Sequence, residues 1–153
     1  MKWKPLALAP WLTAIGLGAW IIGITGCSTF NRDWIAAGPG SSRPNHLRGR
    51  WEGEWRSAVN RHHGNLRCVL TDLGDGKCRA RFRAKFATVF TVHYAILLEA
   101  RPVNAGWELS GRANLGWWRG GVYRYEGRVT ATNFFSTYAC RYDQGTFELR
   151  PME

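Results

Sequence analysis

Hydrophobic and polar residues alternate with a period of two through most of the chain beyond residue 49, in short runs separated by glycine, asparagine and aspartate. The clearest run is 77–86, where Cys78, Ala80, Phe82, Ala84 and Phe86 fall on one side and Arg79, Arg81, Arg83 and Lys85 on the other. A helix would scatter both sets around its axis, whereas a strand with one buried face keeps them apart. The same reading gives a strand over 50–57, with Trp51, Gly53 and Trp55 opposed to Glu52, Glu54 and Arg56, and another over 66–71, with Leu66, Cys68 and Leu70 inward. Further strands are predicted at 90–98, 107–114, 122–131, 134–142 and 146–150. Turns are expected at 72–76, 104–106, 116–121, 132–133 and 143–145, where glycine, asparagine and aspartate supply the backbone freedom that tight connections require.

About eight short strands in close succession predict an all-β domain, specifically a small up-and-down antiparallel barrel, because closure removes the exposed edges such a sheet would otherwise present. An open sandwich of two sheets would show the same alternation and is the alternative. The outward row of Arg79, Arg81, Arg83 and Lys85 excludes a barrel embedded in lipid, since each charge would cost roughly 2–4 kcal/mol at mid-bilayer. The inward faces are rich in aromatics: Trp51, Trp55, Phe82, Phe86, Phe90 and Tyr94, then Tyr123, Tyr125 and Tyr138. A barrel of about eight strands is either filled by its side chains or holds one small ligand. Bulky rings favour filling, and a pocket for a small apolar molecule is the functional alternative.

Ahead of the barrel the pattern changes. An uncharged apolar run from Leu6 to Ile24 follows Lys2 and Lys4, the layout of a secretory signal with a basic start and an apolar middle. The run ends in Ile24-Thr25-Gly26-Cys27. This sequence resembles the lipobox of bacterial lipoproteins, and the resemblance implies removal of residues 1–26 and attachment of lipid to Cys27. Acyl chains contributing roughly 0.8 kcal/mol per buried methylene would then hold the protein to a membrane. The alternative is an uncleaved transmembrane helix, since the run is long enough to span. Both readings place the remainder outside the cytoplasm, in the cell envelope. Ser28 after the cysteine implies, by the same resemblance, the outer membrane if the host is Gram-negative. Residues 27–47 read as a tether rich in backbone breakers, and residues 48–153 as the barrel domain.

The chain has 21 basic and 11 acidic residues, and without Lys2 and Lys4 the balance is 19 against 11, or +8. An exported basic protein meets anionic headgroups or glycolipid phosphates as neighbours, whereas the export signal argues against nucleic acid. At roughly 1 kcal/mol per basic residue near a charged surface, the row of Arg79, Arg81, Arg83 and Lys85 could orient a tethered domain. Its plainer reading is a solvated face. Trp117, Trp118 and Arg119 stand in a glycine-flanked connection and suit the rim of a ligand site or a membrane interface.

Cysteines beyond Cys27 are Cys68, Cys78 and Cys140. In a symmetric hairpin centred on Leu73, Cys68 and Cys78 would face one another, and a disulfide there would contribute roughly 3 kcal/mol. Two buried thiols are the alternative. His62 and His63 are neighbours pointing to opposite sides of an extended chain, so no metal centre is expected, nor any cofactor. Glu52 and Glu54 share a strand face but alternate with arginines, and are expected to pair across the sheet with residues such as Arg67. There is no glycine-flanked serine elbow and no nucleophile beside a histidine. The expectation is a non-enzymatic binding or structural module. An envelope enzyme would have to work from loop residues such as His62, Asp72 and His93.

Gly49-Arg50-Trp51 at the start of the first barrel strand resembles the glycine-any-tryptophan signature of lipocalins and related calycin barrels. That resemblance implies a basic residue of the last strand lying across the tryptophan, a part for which Arg150 is suitably placed. It implies no particular ligand.

Overall fold

The structure, a computed structural model, describes residues 22–43, 46–86, 90–117 and 120–153. The apolar run before residue 22 therefore lies outside the described residues, as do Trp118 and Arg119. A helix α1 (Ile22–Ala36) precedes nine strands: β1 (Ser41–Arg43), β2 (His46–Ser57), β3 (His63–Gly74), β4 (Lys77–Phe86), β5 (Phe90–Val103), β6 (Gly106–Asn114), β7 (Val122–Val129), β8 (Phe134–Ala139) and β9 (Gln144–Pro151). Consecutive strands pair antiparallel in chain order, and β9 returns to pair with β2, from Trp51↔Pro151 to Ser57↔Gly145. Strands β2 to β9 thus form a closed eight-stranded antiparallel barrel. Closure, which periodicity left open, is decided by this one ladder.

The inward positions are those the alternation identifies. Trp51, Leu66, Cys68, Cys78, Ala80 and Phe82 are buried, and the later strands add Tyr125, Val129, Phe134 and Leu149. Phe90 departs from the pattern and is 67% exposed. It opens β5 at the barrel rim, beyond the last layer of side chains that could cover it. Glu52 and Arg67 face each other across β2 and β3 and pair at 3.0 Å, as expected from their alternation.

The β3–β4 hairpin closes later than a symmetric turn about Leu73. Asp75 and Gly76, both at positive φ (51° and 68°), form the tip, and the ladder sets Cys68 opposite Phe82 and Cys78 opposite Asp72. The two cysteines are thereby offset by four residues along the ladder (78 against 82), about 13 Å of strand rise, well beyond the roughly 7 Å between α-carbons that a disulfide spans. Both are free thiols buried in the core, so the expected disulfide is not formed. Burial pushes both thiols up, Cys78 to about 12.

The described residues of the stretch read as a tether, 27–43 and 46–47, are not loose. After α1, the chain crosses the barrel end at which β2 begins and β9 finishes. The Gly40 amide donates to the Met152 carbonyl (2.9 Å), that of Arg50 to Gly38 (3.3 Å), and β1 pairs back on the start of β2. Gly49 permits this crossing: its φ is +103°, and a β-carbon there would come within 2.0 Å of the Pro39 carbonyl oxygen. The glycine of the calycin-like signature thus has a local cause.

Helix α1 packs on the outer face of the barrel. Phe30 is buried (1% exposed), stacked near Trp34 (6.0 Å) and edge-on to His93 of β5 (5.6 Å). The Trp34 ring receives the guanidinium groups of Arg67 (5.1 Å) and Arg50 (5.9 Å), and Asp33 forms an ion pair with Arg81. Val69 is buried although it faces outward, opposite Arg50 and Arg81, both of which hold α1. Helical spacing of Phe30, Asp33 and Trp34 brings one apolar and one acidic contact to the same patch.

Candidate functional site

The two ends of the barrel differ. The connections 75–76, 104–105 and 130–133 and the crossing segment close one end, over a core of Trp51, Leu70, Leu98, Phe134 and Leu149 with almost no exposure. The connections 58–62 and 140–143, with 115–117 and 120–121, stand at the other end, where β4 finishes and β5 begins. There the interior is a cavity of about 310 Å³, within the size range of small-molecule pockets. Its wall is aromatic: Trp55 from β2, Tyr94 from β5, Tyr123 and Tyr125 from β7, Tyr138 from β8 and Phe147 from β9. Alternation puts each ring inside, and the small Ala84 on β4 leaves the space they enclose.

The rings hold one another. Tyr138 stacks on Phe147 (5.0 Å), Tyr123 lies 6.1 Å from both Tyr125 and Tyr138, and Tyr94 stacks on Phe82 (5.1 Å). Trp55 stacks on Phe86 (5.5 Å) and donates its indole N–H to the Lys85 carbonyl (3.1 Å). Burial raises the phenol pKa of Tyr94, Tyr123, Tyr125 and Tyr138, so all four stay uncharged at neutral pH.

Asp143 is the acidic member of this wall. Its Oδ2 accepts from the Tyr138 hydroxyl (3.1 Å) and its Oδ1 from the Ser57 hydroxyl (2.5 Å), while Ser57 Oγ in turn accepts the amides of Val59 and Asn60 (3.2 Å each). Asp143 therefore ties the β8–β9 turn to the neighbouring β2–β3 turn along the rim of the open end. Read along the chain, Asp143-Gln144-Gly145 is a turn and nothing more. Only the closure of β9 on β2 brings Asp143 beside Ser57 and into the cavity wall.

A second concavity of about 550 Å³ lies in the barrel side. The β5–β6 ladder runs from Glu99↔Ser110 to Val103↔Gly106, and beyond it the strands part, leaving Leu97, Leu98, Gly111 and Arg112 along a cleft that Tyr125 shares with the cavity. Phe90, Leu97 and Val122 are exposed apolar residues of the strands β5 and β7 on either side of it.

Trp117 stands in the β6–β7 connection at the open end and is 88% exposed. The basic row is divided: Arg79 and Lys85 are exposed, whereas Arg81 is engaged by Asp33 and Thr29 of α1. The free cationic face expected from alternation is thus partly covered by the chain's own helix. Arg150 does not lie across Trp51. It is paired opposite Glu52 and exposed, and facing residues of an antiparallel pair share a side, so it points outward while Trp51 points in. Phe134 meets the Trp51 ring edge-on instead (6.1 Å).

The loop residues considered for catalysis are not brought together. His62 sits at the open end against Phe86 (5.1 Å), Asp72 near the filled end opposite Cys78, and His93 under α1. Among the described residues no group of three His, Cys, Asp or Glu side chains converges. Cys27 falls within the range of α1, and its side chain is outside the described residues.

These features define a class: a closed eight-stranded antiparallel barrel, filled at one end and open into an aromatic cavity at the other. No family model, no curated protein and no solved structure matches the chain significantly.

Proposed function

We propose that this protein is an envelope lipoprotein, tethered to a membrane through lipid on Cys27, whose barrel is a non-enzymatic binding module for a small apolar ligand. The observation that carries the ligand reading is the cavity of about 310 Å³ beneath the open end, walled by aromatic side chains while the opposite end is packed solid. An apolar molecule entering it exchanges water for ring surface at roughly 25 cal/mol per Å² of buried apolar area. The tether reading rests on the lipobox-like Ile24-Thr25-Gly26-Cys27 after an apolar run. Processing at Cys27 would start the mature chain inside α1, two residues before Thr29, which already accepts a hydrogen bond from Arg81 (3.3 Å). The barrel would then be held close to the bilayer, with exposed Arg79 and Lys85 available to anionic headgroups.

Native mass spectrometry of the full chain, released from nonionic detergent micelles, tests the ligand reading. The expected result is a reproducible adduct that is lost on denaturation and absent from a folded Ala84→Trp variant, whose indole fills the cavity. A bare polypeptide in every preparation, or an adduct unchanged in Ala84→Trp, would refute it.

A further inference from the structure

We infer that the ligand carries a positive charge: the open end of the barrel is a site for a compact organic cation, an alkylated ammonium with an apolar body. This rests on the reading of the cavity as a ligand site and goes on to fix the charge of what occupies it.

Asp143 is the charged side chain among the described residues that line the cavity. Both hydrogen bonds to its carboxylate come from neutral hydroxyls, those of Ser57 and Tyr138. Two oxygens offer about four acceptor positions, so two hydroxyls leave about half of them open. Among the described residues no Lys or Arg pairs with Asp143, and the guanidinium of nearby Arg141 lies over the Tyr142 ring instead (5.3 Å). Asp143 is half-buried in its turn at the rim, so water can serve the open positions until a ligand covers them, and a cation then supplies the counter-ion that the displaced water would otherwise leave missing.

The rings ask for the same ligand. Trp55, Tyr94, Tyr123, Tyr125 and Tyr138 surround the space, and the face of an aromatic ring carries negative potential that attracts a cation. An anion would meet both the ring faces and Asp143. A neutral molecule would satisfy the apolar wall and leave the carboxylate uncompensated. A strongly hydrated metal ion would lose water that the rings do not replace. An alkylated ammonium is cationic and apolar at once. The excess positive charge of the chain does little to oppose entry from a distance, because exposed charges beyond about 8 Å are largely screened at physiological ionic strength.

The test uses two water-soluble isosteres, choline and 3,3-dimethylbutan-1-ol, which differ in whether the branched centre is a charged nitrogen or a carbon. Each is titrated calorimetrically into the full chain in phosphatidylglycerol nanodiscs, with empty discs as the blank. The cation is expected to bind at least about tenfold more tightly than the alcohol, in keeping with cation–π and charge compensation in a desolvated site. Asp143→Asn should abolish most of that preference while leaving the alcohol's binding in place. Tyr123→Leu, which removes a ring face without touching Asp143, should weaken choline more than the alcohol and serves if Asp143→Asn does not fold. Equal binding of the two probes to the unaltered protein would overturn the cation inference and leave the cavity reading standing. Failure of both to bind would overturn the two readings together.

Discussion

Truncating Phe30 should release helix α1 while leaving the barrel closed. Phe30 is 1% exposed, yet it lies outside the barrel, against Trp34 and His93, and contributes nothing to the β2–β9 ladder. Full burial of such a side chain is worth roughly 1.5–3 kcal/mol. Phe30→Ala forfeits most of that, and the half-buried Asp33–Arg81 ion pair and the cation–π contacts that remain contribute about 1 kcal/mol apiece. At about 1.4 kcal/mol per tenfold, local opening of α1 becomes some ten to a hundred times more frequent. Hydrogen exchange followed by mass spectrometry reads this directly: protection over 30–36 should fall by that factor, while β2, β8 and β9 keep theirs. Two results would refute the reasoning. Equal loss of protection in the barrel would make α1 part of one cooperative unit, and unchanged protection would mean that the Phe30 contact does not hold the helix.

Acid should weaken the folded state through His93. Burial, then the Arg83 and Arg81 charges, lower its pKa, so between the ordinary value near 6.5 and the lowered one the unfolded chain binds more protons than the folded one. Its unfavourable contribution is therefore absent above about pH 6.5 and grows as the pH falls through that value. Thermal midpoints between pH 5 and 8 should slope less in His93→Gln than in the unaltered protein, and identical slopes would remove His93 as the cause. Cys68 and Cys78 should resist alkylation at pH 8 in the folded protein and react on unfolding, each as a free thiol, because burial suppresses the thiolate. A mass two hydrogens low, localised to these residues, would contradict the observed register. Replacing Cys27 by serine should leave an unprocessed precursor, and a mass differing from the parent only by the substituted atom would mean that no lipid is attached there.

The strand faces were legible because the period-two code is local. In β4, Cys78, Ala80 and Phe82 lie inward and Arg79 outward whatever the neighbouring strand does. Register was not local. The Asp75-Gly76 tip moves the centre of the β3–β4 turn two positions beyond Leu73 and so the partner of Cys68 by four, from Cys78 to Phe82. The dipeptide itself was the available signal, since Asp-Gly is a preferred hairpin tip. Alternation also marked Arg81 as outward without revealing that Asp33, 48 residues earlier, would reach it. The short Phe30-Asp33-Trp34 pattern has too few apolar residues to announce a docked helix.

The sequence by itself determined an all-β domain of about eight strands, which side chains each strand turns inward, and an aromatic interior, because these follow from backbone pleating and the cost of burying charge. The tertiary structure alone decided that β9 closes on β2, that one barrel end is packed and the other hollow, and that Asp143 meets Ser57 and Tyr138 beside the cavity. Those outcomes depend on residues far apart in the chain being brought to one place by ladder register and strand number. A pattern read over a few neighbouring residues carries no information about which distant strand will supply the opposite wall.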